Sequence, residues 1–280
     1  MRARACFRIE MSSREPRFGD NQPIISVRDL VVGFNEKTVL DHLSLDIRLG
    51  EILGVIGASG SGKSVLLRAI IGLVPKQQGT IEMFGEDMDT LSRERRHDLE
   101  RKWGVMFQHG ALFSSLTVKQ NIQFPMREYL DLSEPLLEEL AMMKIEMVGL
   151  KADAADKLPS ELSGGMIKRA ALARALALDP EIVFLDEPTS GLDPIGAGEF
   201  DQLIVALQKT LNLTVMMITH DLNSLHAACN RVAAIARGKV IELGTIEEIS
   251  ASTDPWLRAY FQGERGRKLF GEFAPAVRLK

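Results

Sequence analysis

Cysteine and long hydrophobic runs are both scarce in this sequence. Its 280 residues include two cysteines, Cys6 and Cys229, and so widely separated a pair does not make the disulfide framework of a small secreted fold. A reducing compartment is therefore expected. No apolar stretch approaches the roughly 20 residues that cross a bilayer, and runs such as Thr214 to Thr219 have the length of a strand. Any role at a membrane should therefore depend on a partner protein.

An excess of charge of one sign is also missing. The chain carries 34 basic and 38 acidic residues, a formal net charge of −4. Nucleic-acid-binding domains usually carry a basic excess, so this class is disfavoured. The cysteines and histidines form no cluster with metal-ligand spacing. The length allows a large core, in one big α/β domain or two small ones.

Both ends of the chain differ in composition from the middle. Residues 1–22 are rich in arginine and lack the apolar segment of a secretory signal. A second methionine, Met11, lies among them, so we predict a disordered tail or a misassigned start, with a membrane-binding arm as the alternative. Residues 251–280 are predicted to form a C-terminal extension. Its helix at Asp254–Gln262 either folds back on its own domain or begins a tail that clasps a second copy through Phe270 and Phe273.

Between these ends, strand-like and helical segments alternate. Short apolar runs of the type found in buried parallel strands occur at Glu51–Ile56, Ile182–Asp186, Thr214–Thr219 and Val232–Ala236. β-prone segments precede them at Ile24–Phe34 and Leu43–Ile47. This alternation predicts an α/β fold with a mainly parallel central sheet.

A helical stretch interrupts the strand pattern in the middle of the chain. The stripe that marks it is predicted to be helix core rather than a binding surface, and consists of Leu136, Leu137, Leu140, Met143, Met147 and Leu150.

One glycine-rich segment has a specific chemical interpretation. It fits the pattern G-x-x-x-x-G-K-[ST] in full, between a strand pattern and a helical pattern, and consists of Gly57, Ala58, Ser59, Gly60, Ser61, Gly62, Lys63 and Ser64. Glycines let backbone N–H groups approach phosphate, and the following helix start favours negative charge. We predict that Lys63 reaches the β- and γ-phosphates of a nucleotide and that Ser64 binds Mg²⁺.

Polar side chains follow two of the apolar strands. Asp186 and Glu187 end the run that begins at Ile182, and His220 follows the run Thr214–Thr219. Ligands of open α/β sheets gather at the carboxyl ends of the strands. We therefore expect these three side chains on the same rim as Lys63, with Asp186 holding Mg²⁺ and Glu187 polarising the attacking water.

A second anion-binding helix start follows at Ser163. Ser163 is a good N-cap residue, and Gly164 and Gly165 leave backbone N–H groups bare. One interpretation is a phosphate cradle that serves the nucleotide of another copy of the chain. The alternative is an ordinary capped helix.

Taken together, these motifs resemble the ABC ATPase family in kind and order. Leu162 to Met166 is similar to the family's signature motif, and Ser190 to Asp193 is similar to its D-loop. Gln108 matches the Q-loop, His220 the switch histidine, and Phe34 the aromatic residue that stacks on adenine. The resemblance covers roughly Ile24 to Ser250.

The resemblance implies a P-loop NTPase fold of ABC type that binds ATP and Mg²⁺. The expected domain spans residues 23–250, with a central sheet, N-terminal antiparallel strands and a helical subdomain at about residues 109–178. The resemblance also implies a head-to-tail dimer in which each ATP lies between one P-loop and the partner's signature motif. Gln108 would bind Mg²⁺ and lie near the docking groove for a permease helix, and His220 would contact the γ-phosphate.

Two positions depart from the family pattern. The signature motif ends in Met166 where glutamine is usual, which removes an amide beside the nucleotide. Val65 follows Ser64 where a second hydroxyl residue is frequent, which removes one α-phosphate contact.

The methionine points to a subfamily. Leu162–Met166, together with the segment from Gln108 to Val118, is similar to the ATPases of MCE-associated lipid transporters of the Mla type. That resemblance implies phospholipid cargo and outer-membrane lipid asymmetry as the function. It also implies a position on the cytoplasmic face of the inner membrane, with a permease, a periplasmic MCE protein and a small STAS-domain protein as partners. The alternatives are an ABC ATPase for another solute and a non-transport ABC ATPase.

Overall fold

The computed structural model describes residues 23–35 and 37–263. The arginine-rich N-terminal segment with Cys6, and the segment with Phe270 and Phe273, lie outside the described residues. So does the prediction that the end of the chain clasps a second copy.

Two sheets form the framework. The four-stranded sheet contains β1 (Pro23–Phe34), β2 (Lys37–Arg48), β4 (Gln78–Met83) and β5 (Glu86–Asp87). The six-stranded sheet contains β3 (Ile52–Gly57), β6 (Trp103–Met106), β7 (Ile182–Asp186), β8 (Thr214–Ile218), β9 (Arg231–Ala236) and β10 (Lys239–Gly244). The first is antiparallel in the order β2-β1-β4-β5. The second has the order β10-β9-β3-β8-β7-β6, and only its β10–β9 pair is antiparallel.

Helices pack around the larger sheet. They are α1 (Lys63–Ile70), α2 (Arg93–Glu100), α3 (Val118–Tyr129), α4 (Glu134–Met147), α5 (Gly164–Ala175), α6 (Pro194–Leu211), α7 (Leu222–Ala228), α8 (Ile246–Ser250) and α9 (Pro255–Gln262). None of the helices among the described residues is long and apolar enough to cross a membrane. The predicted mainly parallel α/β fold with N-terminal antiparallel strands and a helical region is confirmed.

The buried hydrophobic side chains of the described residues form three clusters, and the strand β3 contributes to each. It can do so because its side chains alternate between the two faces of the sheet. Ile52 joins the cluster formed with α3, α4, α5 and α6. Leu53 and Val55 face α1 and the four-stranded sheet. Ile56, directly before the glycine-rich loop, packs with α7, α8 and α9. The loop that follows β3 is therefore anchored to the whole core.

The helix α4 shows one wrong expectation about the core. Leu136 and Met143 belong to the predicted core stripe, yet they are 40% and 50% exposed. The buried face of α4 carries Leu137, which the stripe includes, together with Ala141 and Ile145, which it does not. Apolar residues lie on both sides of this helix, so periodicity alone does not tell which side faces the core.

The helix α9 folds back on its own domain, as one of the two sequence interpretations predicted. Leu257 and Phe261 are 0% and 2% exposed, within the cluster that contains Ile56. Asp254 caps the helix by accepting from the N–H groups of Trp256 and Leu257 at 2.8 and 3.1 Å.

Candidate functional site

The carboxyl ends of three adjacent strands bring the sequence motifs together. The strands β3, β8 and β7 are parallel neighbours. The glycine-rich loop leaves β3 at Gly57, Asp186 ends β7, and His220 lies two residues beyond β8. The sequence therefore placed these groups on the same rim correctly.

The glycine-rich loop leads into the N-terminus of α1. Gly60 and Gly62 have φ angles of +77° and +104°, a region that L side chains rarely adopt. A Cβ atom at Gly62 would lie 2.6 Å from a methyl carbon of Leu40, whereas one at Gly60 would meet nothing within 4 Å. The loop therefore packs tightly on one side and faces open space on the other, as a phosphate cradle requires.

Lys63 lies across the mouth of this loop. Its Nζ donates to the carbonyls of Gly57 and Ala58 at 2.8 and 3.0 Å. Burial lowers the pKa of this ammonium group, and the carboxylates of Glu187 and Asp186 partly oppose that effect. A phosphate group in the loop would supply the negative charge that a half-buried ammonium needs.

Ser64 and Asp186 offer two oxygen atoms to a cation. The Ser64 hydroxyl donates to Asp186 Oδ1 at 3.4 Å, and Asp186 is 5% exposed. Burial raises the pKa of the Asp186 carboxyl, and the neighbouring charge of Glu187 adds to the effect. Within residues 23–35 and 37–263, no group of three or more His, Cys, Asp or Glu side chains could hold a metal. Two hard oxygens at a phosphate loop fit Mg²⁺, which typically takes its other ligands from phosphate and water.

Glu187 directs its carboxylate at His220. Its Oε2 lies 2.6 Å from His220 Nδ1, and the two side chains are 16% and 69% exposed. The φ angle of Glu187 is +51°, which is uncommon for a residue with a side chain. Its N–H donates to the Ile218 carbonyl at 2.9 Å. Asp186 and Glu187 thus have different partners, Ser64 and His220, and the left-handed backbone at Glu187 lies between the two side chains.

Lys168 is a site residue that the sequence motifs did not single out. It lies on α5, is 6% exposed, and donates from Nζ to the main-chain carbonyls of Gln108 and Glu187, the latter at 3.0 Å. Burial lowers the pKa of its ammonium group, although the charges of Glu187 and Asp186 raise it. The only signal in the sequence is a lysine on an otherwise alanine-rich helix face. The side chain of Gln108 itself lies in an exposed position after β6.

The second glycine-containing helix start lies where the sequence placed it. Ser163 caps α5, its Oγ accepting from the N–H of Met166 at 3.3 Å. A Cβ atom at Gly164 would meet nothing within 4 Å, and one at Gly165 would meet only Leu192, at 4.0 Å. This surface is open enough to receive an anion. Its bonds within the chain fit an ordinary cap equally well.

A cavity of about 960 Å³ adjoins the glycine-rich loop. Phe34, at the end of β1 and 48% exposed, forms part of its wall. Ala58 to Ser61 form another part, and Trp256 of α9 a third. Val65, the position where the family often has a second hydroxyl residue, is partly buried against the hydrophobic cluster that contains Leu66 and Leu67 of α1. The cavity has an aromatic side chain and a phosphate loop at its edges, which suits a nucleotide.

Comparison with protein families and solved structures agrees with this geometry. Residues 40–190 match the family model described as ABC transporter. The ATP-binding cassette MJ0796, a dimer in a post-hydrolysis state bound to ADP and Pi, superposes with a TM-score of 0.73 and 28% identity, over 79% of this chain and 98% of that chain. For cbiO1 from Clostridium perfringens, part of the transporter complex cbiONQ, the values are 0.74 and 29%, over 87% and 96% of the chains.

Two curated relatives are matched along about nine-tenths of their length, and a third along about two thirds. The intermembrane phospholipid transport system ATP-binding protein MlaF of Haemophilus influenzae is 40% identical over 244 residues, covering 87% of this chain and 92% of that protein. MlaF of Escherichia coli K12 is 37% identical over 240 residues, covering 86% and 89%. The probable ribonucleotide transport ATP-binding protein mkl of Mycobacterium leprae is 36% identical over 241 residues, covering 86% and 69%. The chain belongs to the ABC transporter family, as an ATP-binding and ATP-hydrolysing subunit.

Proposed function

We propose that this ATPase energises phospholipid transport through a separate membrane permease and so maintains outer-membrane lipid asymmetry. The observation that carries the proposal is the 40% identity to MlaF of Haemophilus influenzae over 244 residues. Two features of this chain, the segment from Gln108 to Val118 and Met166 of the signature motif, predicted lipid transport from the sequence and support the proposal. The proposed location is the cytoplasmic face of the inner membrane, with attachment through the permease. A periplasmic MCE protein and a small STAS-domain protein are the further proposed partners.

The relative named for ribonucleotide transport gives a second candidate cargo. Its identity of 36% is close to that of the MlaF proteins, but this chain covers only 69% of its length. We favour phospholipid because the MlaF relatives are matched along about nine-tenths of their length. A non-transport ABC ATPase is the least supported alternative.

We further propose that residues 23–250 form the ATPase domain and that two copies share each ATP. The helical subdomain would span about residues 109–178, which contain α3, α4 and α5. The open surface at Gly164 and Gly165 supports a phosphate contact from outside the chain. In a head-to-tail dimer, Ser163 and Gly165 of one copy would complete the site formed by Lys63 of the other.

In the proposed mechanism the residues position the nucleotide and neutralise the charge of its phosphates, and they form no covalent bond with it. The N–H groups of the loop and Lys63 hold the phosphates, and Phe34 stacks on the base. Ser64, Asp186 and Gln108 would hold Mg²⁺, which when bound would supply positive charge against the phosphates.

The proton transfer is assigned to Glu187. Its carboxylate accepts a proton from the attacking water, and His220 Nδ1 lies 2.6 Å from that carboxylate. Contact with the γ-phosphate is assigned to the same imidazole. Lys168 fixes the backbone of both Gln108 and Glu187. Movement of α5 would therefore reach both residues, which is how the permease could sense the site.

The experiment is to purify the full chain with its native membrane partners and identify bound molecules by mass spectrometry. The complex is then placed in proteoliposomes, and ATP hydrolysis is measured with phospholipid or ribonucleotide supplied as substrate. Co-purified phospholipid, with ATP-dependent movement of labelled phospholipid between donor and acceptor membranes, is expected. The complex with Lys63→Ala provides the matched control without hydrolysis. Ribonucleotide uptake without lipid movement would replace the proposal with the second candidate, and purification without any membrane protein would contradict both.

A further inference from the structure

The helix α9 lies beyond the part of the chain that matches the family model, yet it packs against two elements of the ATP site. The match to the family model ends at residue 190, and α9 spans Pro255–Gln262. Leu257 and Phe261 are buried against Ile56, which directly precedes the glycine-rich loop. The same cluster includes Leu222 and Leu225 of α7, the helix that follows His220.

One polar contact joins α9 to the residue proposed to act in hydrolysis. The hydroxyl of Tyr260 donates to the main-chain carbonyl of His220 at 3.1 Å. Burial raises the pKa of the Tyr260 hydroxyl, so the group stays protonated and remains a donor across the physiological range. His220 lies two residues beyond the end of β8, and its side chain is largely exposed. A bond to its carbonyl therefore restrains a loop position that the sheet does not hold.

The Tyr260 ring is itself held in place from two sides. It stacks on Trp256 with ring centroids 5.1 Å apart and an interplanar angle of 18°. It meets Phe261 edge-on, also with centroids 5.1 Å apart. Aromatic pairs in these arrangements stabilise a fixed ring orientation beyond the burial of their area. The hydroxyl is thus presented to His220 by a rigid group of rings.

Trp256 connects this group to the nucleotide cavity. It lines the same cavity as Phe34 and the glycine-rich loop, together with Asp254 and Pro255. The chain of contacts runs from the cavity wall through Trp256 and Tyr260 to His220, and from His220 Nδ1 to the Glu187 carboxylate. A group that occupies the cavity and displaces Trp256 would thereby move the Tyr260 hydroxyl, which donates to the His220 carbonyl.

We propose that Tyr260 is a positioning residue for hydrolysis: its hydroxyl fixes the main chain of His220, and through it the imidazole that holds Glu187. The inference rests on the role proposed for His220 and adds to it a dependence on the C-terminal helix. If α9 only filled the core, its apolar residues Leu257 and Phe261 would suffice, and the Tyr260 hydroxyl could be removed without effect on turnover.

The test replaces Tyr260 by phenylalanine, which keeps the ring and its stacking and removes only the hydroxyl. Loss of one hydrogen bond that acts in the transition state corresponds to a fall in kcat of roughly threefold to tenfold. KM for ATP should stay within about twofold, because the group touches no part of the proposed nucleotide contacts. The full chain is used, as a complex with its permease where that is required for activity. The matched control is Tyr129→Phe, the same change on α3, where the ring stacks on His97.

A second measurement separates positioning from a general loss of structure. The imidazole signal of His220 is followed by NMR on histidine-labelled protein and assigned by its absence in His220→Ala. Tyr260→Phe should shift that signal and leave that of His97 in place, and Tyr129→Phe should do the reverse.

Unchanged kcat in Tyr260→Phe together with an unmoved His220 signal overturns the proposal. A loss of kcat that is accompanied by a lower Tm, while the imidazole signals stay unmoved, also overturns it. Full activity in His220→Ala would instead remove the proposed role of His220 itself, which is a separate failure.

Discussion

The ammonium group of Lys168 donates to the main-chain carbonyl of Glu187 at 3.0 Å. The same group bonds to the carbonyl of Gln108, although the two carbonyls belong to loops that follow different strands. The turn at Glu187 has a positive φ angle, and such backbone persists only where surrounding groups hold it. Lys168 is therefore one of the groups that keep the proposed base aimed at His220.

Replacing Lys168 by methionine should lower both turnover and stability. The methionine keeps a similar length of apolar chain but removes one donor from each of the two carbonyls. The Glu187 carbonyl keeps its bond from the Ser190 N–H at 3.2 Å, so the cost of about 1–3 kcal/mol for an unpaired buried group applies to the Gln108 carbonyl. We expect kcat for ATP to fall at least tenfold, because the backbone of Glu187 is no longer held. Steady-state ATPase assays and thermal unfolding measure the two effects.

The control for this variant is Lys144→Met. Lys144 is also a buried lysine of the helical region, 2% exposed, but it pairs with Asp179, away from the rim that carries Glu187. It should lose stability while keeping kcat per folded molecule. If both variants lose turnover in proportion to stability, Lys168 has no special relation to Glu187.

Changing Glu187 to glutamine should separate ATP binding from hydrolysis. The amide cannot accept the proton from water, and loss of a general base lowers turnover by about 10²- to 10⁴-fold. Binding should persist, because Lys63, Ser64 and Asp186 are untouched. The variant should then accumulate as an ATP-bound dimer in gel filtration. A variant that stays monomeric with ATP, under conditions where ATP binding is verified, would show that Glu187 is not the base.

Mixing two inactive variants tests whether each ATP site is shared between copies. Lys63→Ala removes a phosphate-facing charge from one side of the site, and Ser163→Arg blocks the helix start proposed to complete the other. A mixed dimer contains one intact composite site, so partial recovery of ATPase activity is expected. Each variant alone should be inactive. Activity of Ser163→Arg alone at the wild-type level would contradict the shared site.

The sequence was sufficient to predict the elements and motifs but not the contacts between distant segments. The strand Ile182–Asp186 and the glycine-rich loop were predicted because their signals are local in the chain. The contact of Lys168 with Gln108 joins residues 60 positions apart, and that of Tyr260 with His220 joins residues 40 apart. These bonds form only when α5 and α9 pack against the rest of the domain. The spacing of residues along the sequence does not predict that packing.

A substitution at Gly104 should show how closely β6 and α5 are packed. A Cβ atom there would lie 1.9 Å from the carbonyl oxygen of Ala175, a backbone atom that cannot rotate away. Gly104→Ala should therefore lower the free energy of unfolding by about 1–3 kcal/mol, the typical effect of overpacking.

The control is Gly198→Ala on α6, where a Cβ atom meets nothing within 4 Å. It should raise the free energy of unfolding by roughly 0.5–1 kcal/mol, since alanine favours a helix over glycine. Urea unfolding of both variants provides the comparison. Equal midpoints would mean that β6 can move away from Ala175 at no cost.

The carboxyl group of Asp201 should make stability depend on pH. Asp201 lies on α6, is 2% exposed, and its Oδ1 has no hydrogen-bond partner. Burial raises the pKa of this carboxyl from 3.8 to about 6; a hydrogen bond from Ser224 opposes the rise, and the charge of Asp221 adds to it. Between pH about 4 and 6 the folded state therefore binds more protons than the unfolded state. The free energy of unfolding falls as the pH rises through that window, by up to about 3 kcal/mol from this group.

Asp201→Asn removes this titration, so its effect on stability should change with pH. Relative to the unchanged protein, the variant should gain up to about 3 kcal/mol in free energy of unfolding between pH 4 and pH 7. Above pH 7 the difference should stay constant, because the carboxyl is ionised in both states there. Asp131→Asn, at an exposed position between α3 and α4, corrects for the loss of one charge. Urea unfolding of the three proteins at each pH gives the measurement. A stability difference for Asp201→Asn that is constant with pH, or that decreases as pH rises, would contradict a raised pKa at Asp201.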